Sequence, residues 1–356
     1  MPTVSPLDWV ALRLLALKPL NNLKMLEIAD WPMLIKDRHR LNDQLKQLGA
    51  SRYAHQQAER LYGRAEKLLT SLNSLNCVVI GYDHAHYPPL LKAIYDPPIV
   101  LFCRGNTLLL AEPQIAMVGG RKSTQFARST AQRLAAQLTE TGVHVTSGLA
   151  IGIDQAAHKG ALSAGPGTTL AVMANGPDLI YPQRHVALGE QIVASGGLLL
   201  TEHLPGTQPR PHFFPERNRI ISGLSLGTLV VEAEIKSGSL VTARLALEQG
   251  REVFAVPGAI SNPSVKGCHL LIKEGAALVE SADDLLQALY LPLRDQAPLS
   301  DIADTPLLRL LAQAPHTIDQ LAQALMMSAT ELQIALTELE ISGFVAREGA
   351  RFVRLR

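Results

Sequence analysis

Between residues 114 and 280, short apolar runs alternate with segments whose apolar positions fall at helical spacing. The runs predict strands over 114–118, 143–147, 168–173, 197–201, 227–233 and 252–256, with a short one over 277–280. The segments between predict helices near 124–141, 154–164, 185–195, 217–224, 239–249 and 267–274. Apolar strands, each followed by a helix, are the pattern of a parallel sheet covered on both faces. The expected fold class is therefore α/β, a doubly wound and mostly parallel sheet with its ligand edge beyond the carboxyl ends of the strands. Cys77–Ile80 and Ile99–Phe102 add two strands ahead of it, and the prolines of Tyr87-Pro-Pro and Asp96-Pro-Pro between them force extended backbone.

The ends of the chain read differently. Residues 1–72 form a small helical domain, with helical spacing over Asp8–Leu17, Leu41–Leu48 and Ala54–Leu69. Lys18-Pro-Leu-Asn-Asn22 occupies the expected turn, and it lacks the Gly-x-Gly hairpin that would grip a DNA backbone. A packing or partner role is preferred for this domain. The core spans 73–290, and 291–304 reads as a linker rich in Pro and Asp. Residues 305–356 carry helices over Leu307–Leu311, Ile318–Leu325 and Ala329–Ile341, then a hairpin, which is the order of a winged helix. The third helix holds Glu331, Gln333, Glu338 and Glu340 and no Lys or Arg, so protein docking is favoured over major-groove reading. Arg347, Arg351 and Arg354 in the hairpin remain available to phosphates.

Composition narrows the chemistry. The 356 residues are 47% hydrophobic but only 4% aromatic, with a formal net charge of +1. The core is aliphatic, and any nucleic-acid site is a local patch rather than a whole-molecule field. Cys77, Cys103 and Cys268 form no CxxC pair, which argues against a zinc site or a disulfide framework. No signal-peptide pattern and no apolar run of membrane length is visible, so a cytoplasmic protein is expected.

The candidate chemistry lies at strand-turn-helix junctions, where backbone N–H groups and positive helix ends point outward. Gly119, Gly120, Arg121 and Lys122 follow the first core strand; Ser147, Gly148 and Gly152 follow the second. Arg217, Asn218 and Arg219 open a later helix, and Ser237, Gly238 and Ser239 open another. Together they suit a ligand rich in phosphate. The spacing matches neither a dinucleotide fingerprint nor a P-loop nor a nucleophile elbow, so no cofactor is expected. Asp154 reads as a helix N-cap, and His158 either reaches the site or is structural. Glu232, at a strand end, either orients Arg217 or Arg219 or serves as the general acid or base of a nucleoside-monophosphate hydrolase.

Several blocks now carry a resemblance. They are Met117-Val-Gly-Gly-Arg121, Ser147-Gly-Leu-Ala-Ile-Gly-Ile-Asp154 with Ala157-His158, and Asn175-Gly-Pro-Asp-Leu-Ile-Tyr-Pro182. Phe214-Pro-Glu-Arg-Asn-Arg219, Val230-Val-Glu-Ala233, Ser237-Gly-Ser-Leu-Val-Thr-Ala243 and Val253-Phe-Ala-Val-Pro-Gly258 follow. In order and spacing they resemble the DNA-processing protein A (DprA or Smf) family. The resemblance implies an extended Rossmann-like core between a sterile-alpha-motif-like N-terminal domain and a winged-helix C-terminal domain. It implies no enzyme but a protein that binds single-stranded DNA during natural transformation, protects the incoming strand and loads a RecA-type recombinase on it. Phosphate-binding positions would fall on Gly119, Gly120, Arg121, Ser147, Gly148, Gly152 and the Arg217–Arg219 region. A homodimer surface would fall on Gly267-Cys-His-Leu-Leu-Ile272, with His269 and Ile272 as its candidates. Two positions depart from the family pattern: Gly120 stands for the usual Ser, and Phe126-Ala127 for a usual Tyr-Gly pair.

Overall fold

The computed structural model describes residues 4–291, 306–341, 345–349 and 351–354. The chain divides into two compact units, Met1–Leu293 and Arg294–Arg356. The predicted linker, from residue 292 onward, lies outside the described residues.

The first unit is built on nine strands: β1 (Cys77–Gly81), β2 (Val100–Gly105), β3 (Gln114–Val118), β4 (His144–Ser147), β5 (Thr169–Val172), β6 (Leu198–Thr201), β7 (Gly227–Val230), β8 (Glu252–Ala255) and β9 (Ala277–Leu278). They lie in the order β1-β2-β6-β5-β4-β3-β7-β8-β9. All neighbours from β6 to β9 are parallel, while β2 runs antiparallel to β6 and β1 antiparallel to β2. The α/β reading therefore holds, and each core strand falls within the range its apolar run predicts. The chain winds outward from β3 through β4 and β5 to β6, then returns to lay β7 on the other side of β3. That reversal leaves a crevice above the carboxyl ends of β3 and β7, where open α/β sheets bind ligands.

Helices cover both faces. One cluster gathers Leu91, Ile220, Leu224, Ala243 and Cys268 against the sheet. The other gathers Ala131, Leu134, Leu138, Ala157 and Leu285 against the opposite side. Side chains in β3 and β5 are fully enclosed, as the continuous apolar runs require. All three cysteines are buried and free.

The N-terminal helices (Pro6–Leu14, Pro19–Leu26, Trp31–Leu34, Arg38–Gln47, Arg52–Ala58 and Leu61–Ser74) enclose Trp9, Leu12, Met25, Trp31 and Leu45. The same cluster takes in Cys77, Val100 and Phe102 of β1 and β2, so these helices share a core with the sheet end. Two expectations change here. Lys18–Asn22 is a helix start, with Pro19 at its first position, and the chain turns earlier, at Ala16, where φ is 48°. The helix expected over Ala54–Leu69 is two helices, Arg52–Ala58, capped by Ser51, and Leu61–Ser74.

In the second unit, helices Pro306–Gln313, Ile318–Leu325 and Ala329–Ile341 precede a hairpin of β11 (Val345–Glu348) and β12 (Arg351–Arg354), and β10 (His316–Thr317) joins β12 on its other edge. Leu308, Leu321, Leu332, Leu336, Val345 and Phe352 form its core. Among the described residues, no helix is long and apolar enough to cross a membrane, and no cluster of side chains could hold a metal ion.

Candidate nucleic-acid interface

A cleft of about 460 Å³ opens over the β3–β7 crevice. The loop after β3 forms one wall. Gly120 N–H donates to the carbonyl of Glu232 at 2.6 Å, pressing this loop against the exit of β7. Gly119 has no room for a Cβ, which would sit 2.5 Å from Ile153 Cγ1. Arg121 and Lys122 follow, both exposed and both lining the cleft. The Arg121 guanidinium lies 5.4 Å from the ring centre of Phe214, and Tyr181 packs on that ring's surroundings at 5.8 Å between centroids.

The opposite wall follows β7. Ser237 caps helix Gly238–Glu248 by accepting from Ser239 N–H, and its hydroxyl lies 2.6 Å from that of Ser239. Gly238 is exposed, with nothing within 4 Å of where its Cβ would stand. Lys236 is exposed beside it. The N-terminus of helix Gly238–Glu248 thus lines the cleft, while that of Gln125–Thr139, capped by Thr124, does not.

The remaining predicted positions divide into lining and scaffold. Asn218 and Arg217 line the cleft, but Arg217 is buried. Its Nη1 donates to the carbonyls of Gly148, at 2.7 Å, and Val172, while Nε has no partner. Burial lowers its pKa to about 10, against the favourable charge of Asp154. Ser147 does not line the cleft; its hydroxyl donates to Met117 O at 2.6 Å and ties β4 to β3. Gly148 leaves space for the Arg217 guanidinium, 2.5 Å from where a Cβ would be. Gly152, at φ +87°, packs under Gly120 and also stays out of the cleft.

Arg219 is not brought to the cleft. It forms ion pairs with Glu202 at 2.7 Å and Asp96 at 3.1 Å. Glu232 orients neither arginine. Its two oxygens accept from Thr124 N–H at 2.8 Å and Thr124 Oγ1 at 2.7 Å, so the carboxylate anchors the first turn of helix Gln125–Thr139. Asp154 is not an N-cap, a position held by Gly152. From within the first turn it accepts the N–H groups of Gly148 and Ala150, and burial raises its pKa against the charge of Arg217. His158 is wholly buried and bonded to Thr169 Oγ1 at 2.7 Å, a structural placement.

Lys236 and Phe214 are cleft residues that the sequence reading passed over. Lys236 directly precedes Ser237-Gly-Ser, and Phe214 opens the Phe-Pro-Glu-Arg block. Away from the cleft, on helix Lys266–Lys273, His269 Nε2 meets Gly258 O at 3.0 Å and Ile272 is partly buried against the core. Leu270 and Leu278 nearby are exposed.

The buried histidines carry a pH prediction. Burial first, with repulsion from neighbouring positive charge, lowers His158 from 6.5 to about 3. Burial lowers His203 to about 4. The folded state therefore resists protons that the unfolded chain accepts below 6.5, and stability falls as pH drops from 6.5 towards 3. Urea midpoints measured across that window should slope downward with acid, and His158→Gln should flatten the slope. An identical slope in the variant would assign the acid lability to other groups.

Residues 78–290 match the family model for DNA recombination-mediator protein A, and 292–351 match that for the DprA winged helix domain. The chain is 39% identical to protein Smf of Escherichia coli over 97% of this chain and 95% of that protein. It is 41% identical to the DNA processing protein DprA of Bacillus subtilis, over 65% and 77% of the two chains. The crystal structure of DNA processing protein A from Streptococcus pneumoniae superposes with a TM-score of 0.70 at 36% identity, covering 80% of this chain and 98% of that one. The structure of DNA processing protein A from Helicobacter pylori, which concerns its single-stranded DNA binding mode, superposes with a TM-score of 0.52 at 31% identity, covering 57% of this chain and 92% of that one.

Proposed function

This chain belongs to the DNA recombination-mediator protein A family, and from that premise we propose that it binds single-stranded DNA in the β3–β7 cleft. In this reading it protects incoming DNA and loads a RecA-type recombinase on it during natural transformation. The observation that carries the binding step is the convergence of Arg121, Lys122 and Lys236 with the open N-terminus of helix Gly238–Glu248 over one crevice. Backbone N–H groups and cationic side chains hold phosphates without reading sequence. The half-exposed Phe214 ring beside Arg121 offers one base a flat apolar surface, an addition to the phosphate contacts that is tolerant of base identity. The DNA-binding mode described for the Helicobacter pylori relative supports the same ligand. A homodimer through the face of helix Lys266–Lys273, with His269 and Ile272 in it, would align two such clefts along one strand and raise avidity.

The rival reading, a nucleoside-monophosphate hydrolase, needs Glu232 free to move a proton. Both its oxygens are engaged by Thr124, which favours binding over turnover. The deciding experiment is a salt titration of binding to an unstructured single strand, with a nucleoside monophosphate as competitor. Steep weakening with salt and indifference to the mononucleotide are expected. Consumption of the mononucleotide would replace this function with hydrolysis.

Arg121→Ala should weaken single-strand binding roughly tenfold at low salt and reduce the slope of log K against log salt by about one. Its thermal stability should stay within about 0.5 kcal/mol of the parent, because the side chain is exposed. An unchanged slope would remove Arg121 from the interface.

A further inference from the structure

The winged-helix unit leaves three large apolar side chains exposed on its second and third helices and the turn between them. Met326 is 94% exposed, Ile334 59% and Met327 36%. Met326 ends helix Ile318–Leu325 in the left-handed conformation, with φ 51°. Glycine or asparagine fits that position with less strain. An unbranched apolar side chain held there in solvent adds nothing to the fold of this unit, whose core is Leu308, Leu321, Leu332, Leu336 and Phe352. Methionine at a surface adapts its shape to a partner.

Charge says what kind of partner. From residue 318 to 341 the chain holds Asp319, Glu331, Glu338 and Glu340 and no lysine or arginine. Asp319, Glu331 and Glu340 are exposed on the same two helices that carry or flank the methionines and Ile334. The field repels nucleic acid from the helix that a DNA-reading winged helix would insert. The same field attracts a cationic protein segment and sets its register.

We propose that helices Ile318–Leu325 and Ala329–Ile341 form a docking face for a partner protein, and that the partner presents an apolar ridge flanked by lysines or arginines. Met326, Met327 and Ile334 receive the ridge, and the carboxylates pair with the flanking cations. An amphipathic helix is the simplest segment with that chemistry.

The test uses the full chain and a synthetic amphipathic helix of leucine and lysine, with a leucine–glutamate helix of the same pattern as control. Hydrogen exchange should slow over the two named helices with the lysine peptide and not with the glutamate peptide. Ile334→Lys combined with Glu340→Lys, both at exposed positions, should weaken the lysine peptide about tenfold or more. Protection placed elsewhere, equal binding of the acidic peptide, or unchanged affinity in the variant overturns the proposal. Two further controls overturn it in distinct ways. Slowed exchange over Ala329–Ile341 with single-stranded DNA would make the face a nucleic-acid site. A smaller oligomer on sedimentation of Ile334→Lys would make the occupant a second copy of the chain.

Discussion

Arg219→Met should destabilise the protein by about 3–5 kcal/mol while leaving the salt dependence of single-strand binding unchanged. Arg219 donates through Nη1 and Nη2 to the two oxygens of Glu202 at 2.7 and 2.8 Å, and through Nε to Asp96 at 3.1 Å. The Arg219 and Glu202 side chains are only 14% and 13% exposed, so water does little to replace the pairing. Glu202 follows β6, Asp96 precedes β2, and the Glu202 carbonyl also accepts from Arg13 of the first helix at 2.8 Å. One guanidinium therefore ties helix Phe213–Leu224 to the segment before β2 and the segment after β6, and the Glu202 backbone carries the link on to Arg13 of the first helix. Removing it strands the Glu202 carboxylate out of water and leaves Asp96, 31% exposed, without its cation, which is why the cost exceeds that of a surface ion pair.

The pH response separates this effect from a simple packing loss. Burial pushes Glu202 upward, but the charge and hydrogen bonds of Arg219, with the charge of Arg13, overcome it and bring the pKa from 4.5 to about 2. Its folded pKa is depressed, so its contribution is complete above 4.5 and is lost as pH falls from 4.5 towards 2. In Arg219→Met burial dominates, the carboxyl favours its proton in the fold, and this contribution reverses sign. Denaturant midpoints at pH 7 and near pH 4 test both points: the gap between parent and variant should narrow in acid. A variant of parental stability with a shallower salt slope would place Arg219 in the DNA interface after all.

Gly152→Ala should cost about 3 kcal/mol or more and lower the melting temperature by roughly 6–12 °C. Gly152 has φ 87° and ψ −122°, a region that side-chain-bearing L residues rarely enter. Its added Cβ would stand 2.2 Å from the carbonyl oxygen of Gly120 and 2.9 Å from that of Arg121. Both obstacles are backbone, so no rotamer change relieves them; the loops after β3 and β4 must part. DNA affinity should fall with stability, because the displaced loop carries Arg121 and Lys122. Gly238→Ala is the matched control: its Cβ meets nothing within 4 Å, and stability should hold. Calorimetry on both variants decides. Equal melting temperatures for Gly152→Ala and the parent would show that the loop pair yields without cost.

The same residues show how far local pattern reaches. The core strands and the six helices expected between residues 124 and 274 were legible because two-sided burial writes continuous apolar runs and helical covering writes a 3.6-residue period, whereas the short helices Pro89–Lys92 and Ala282–Ala288 were not, being too short to show that period. The cleft at the carboxyl edge was legible for the same reason, since strand-glycine-helix junctions all fall on that side of a parallel sheet. Arg217 and Arg219 were not separable by type. Two residues apart inside a helix that begins at Phe213, they point about 200° apart, so one turns under the cleft and the other away to Glu202.

The amino-acid sequence by itself determined the doubly wound sheet, the order of its elements, the glycine-rich edge and the acidic third helix of the closing unit, because each follows from the spacing of neighbours along the chain. Only the tertiary structure decided which polar groups are free at that edge. Glu232 and Thr124 stand 108 residues apart and meet because β7 returns beside β3. Ser147 and Met117 pair because β4 lies on the other side of β3. Whether a charged or hydroxyl group is consumed by the fold or left for a ligand depends on partners brought together by strand order, and local spacing carries no record of them.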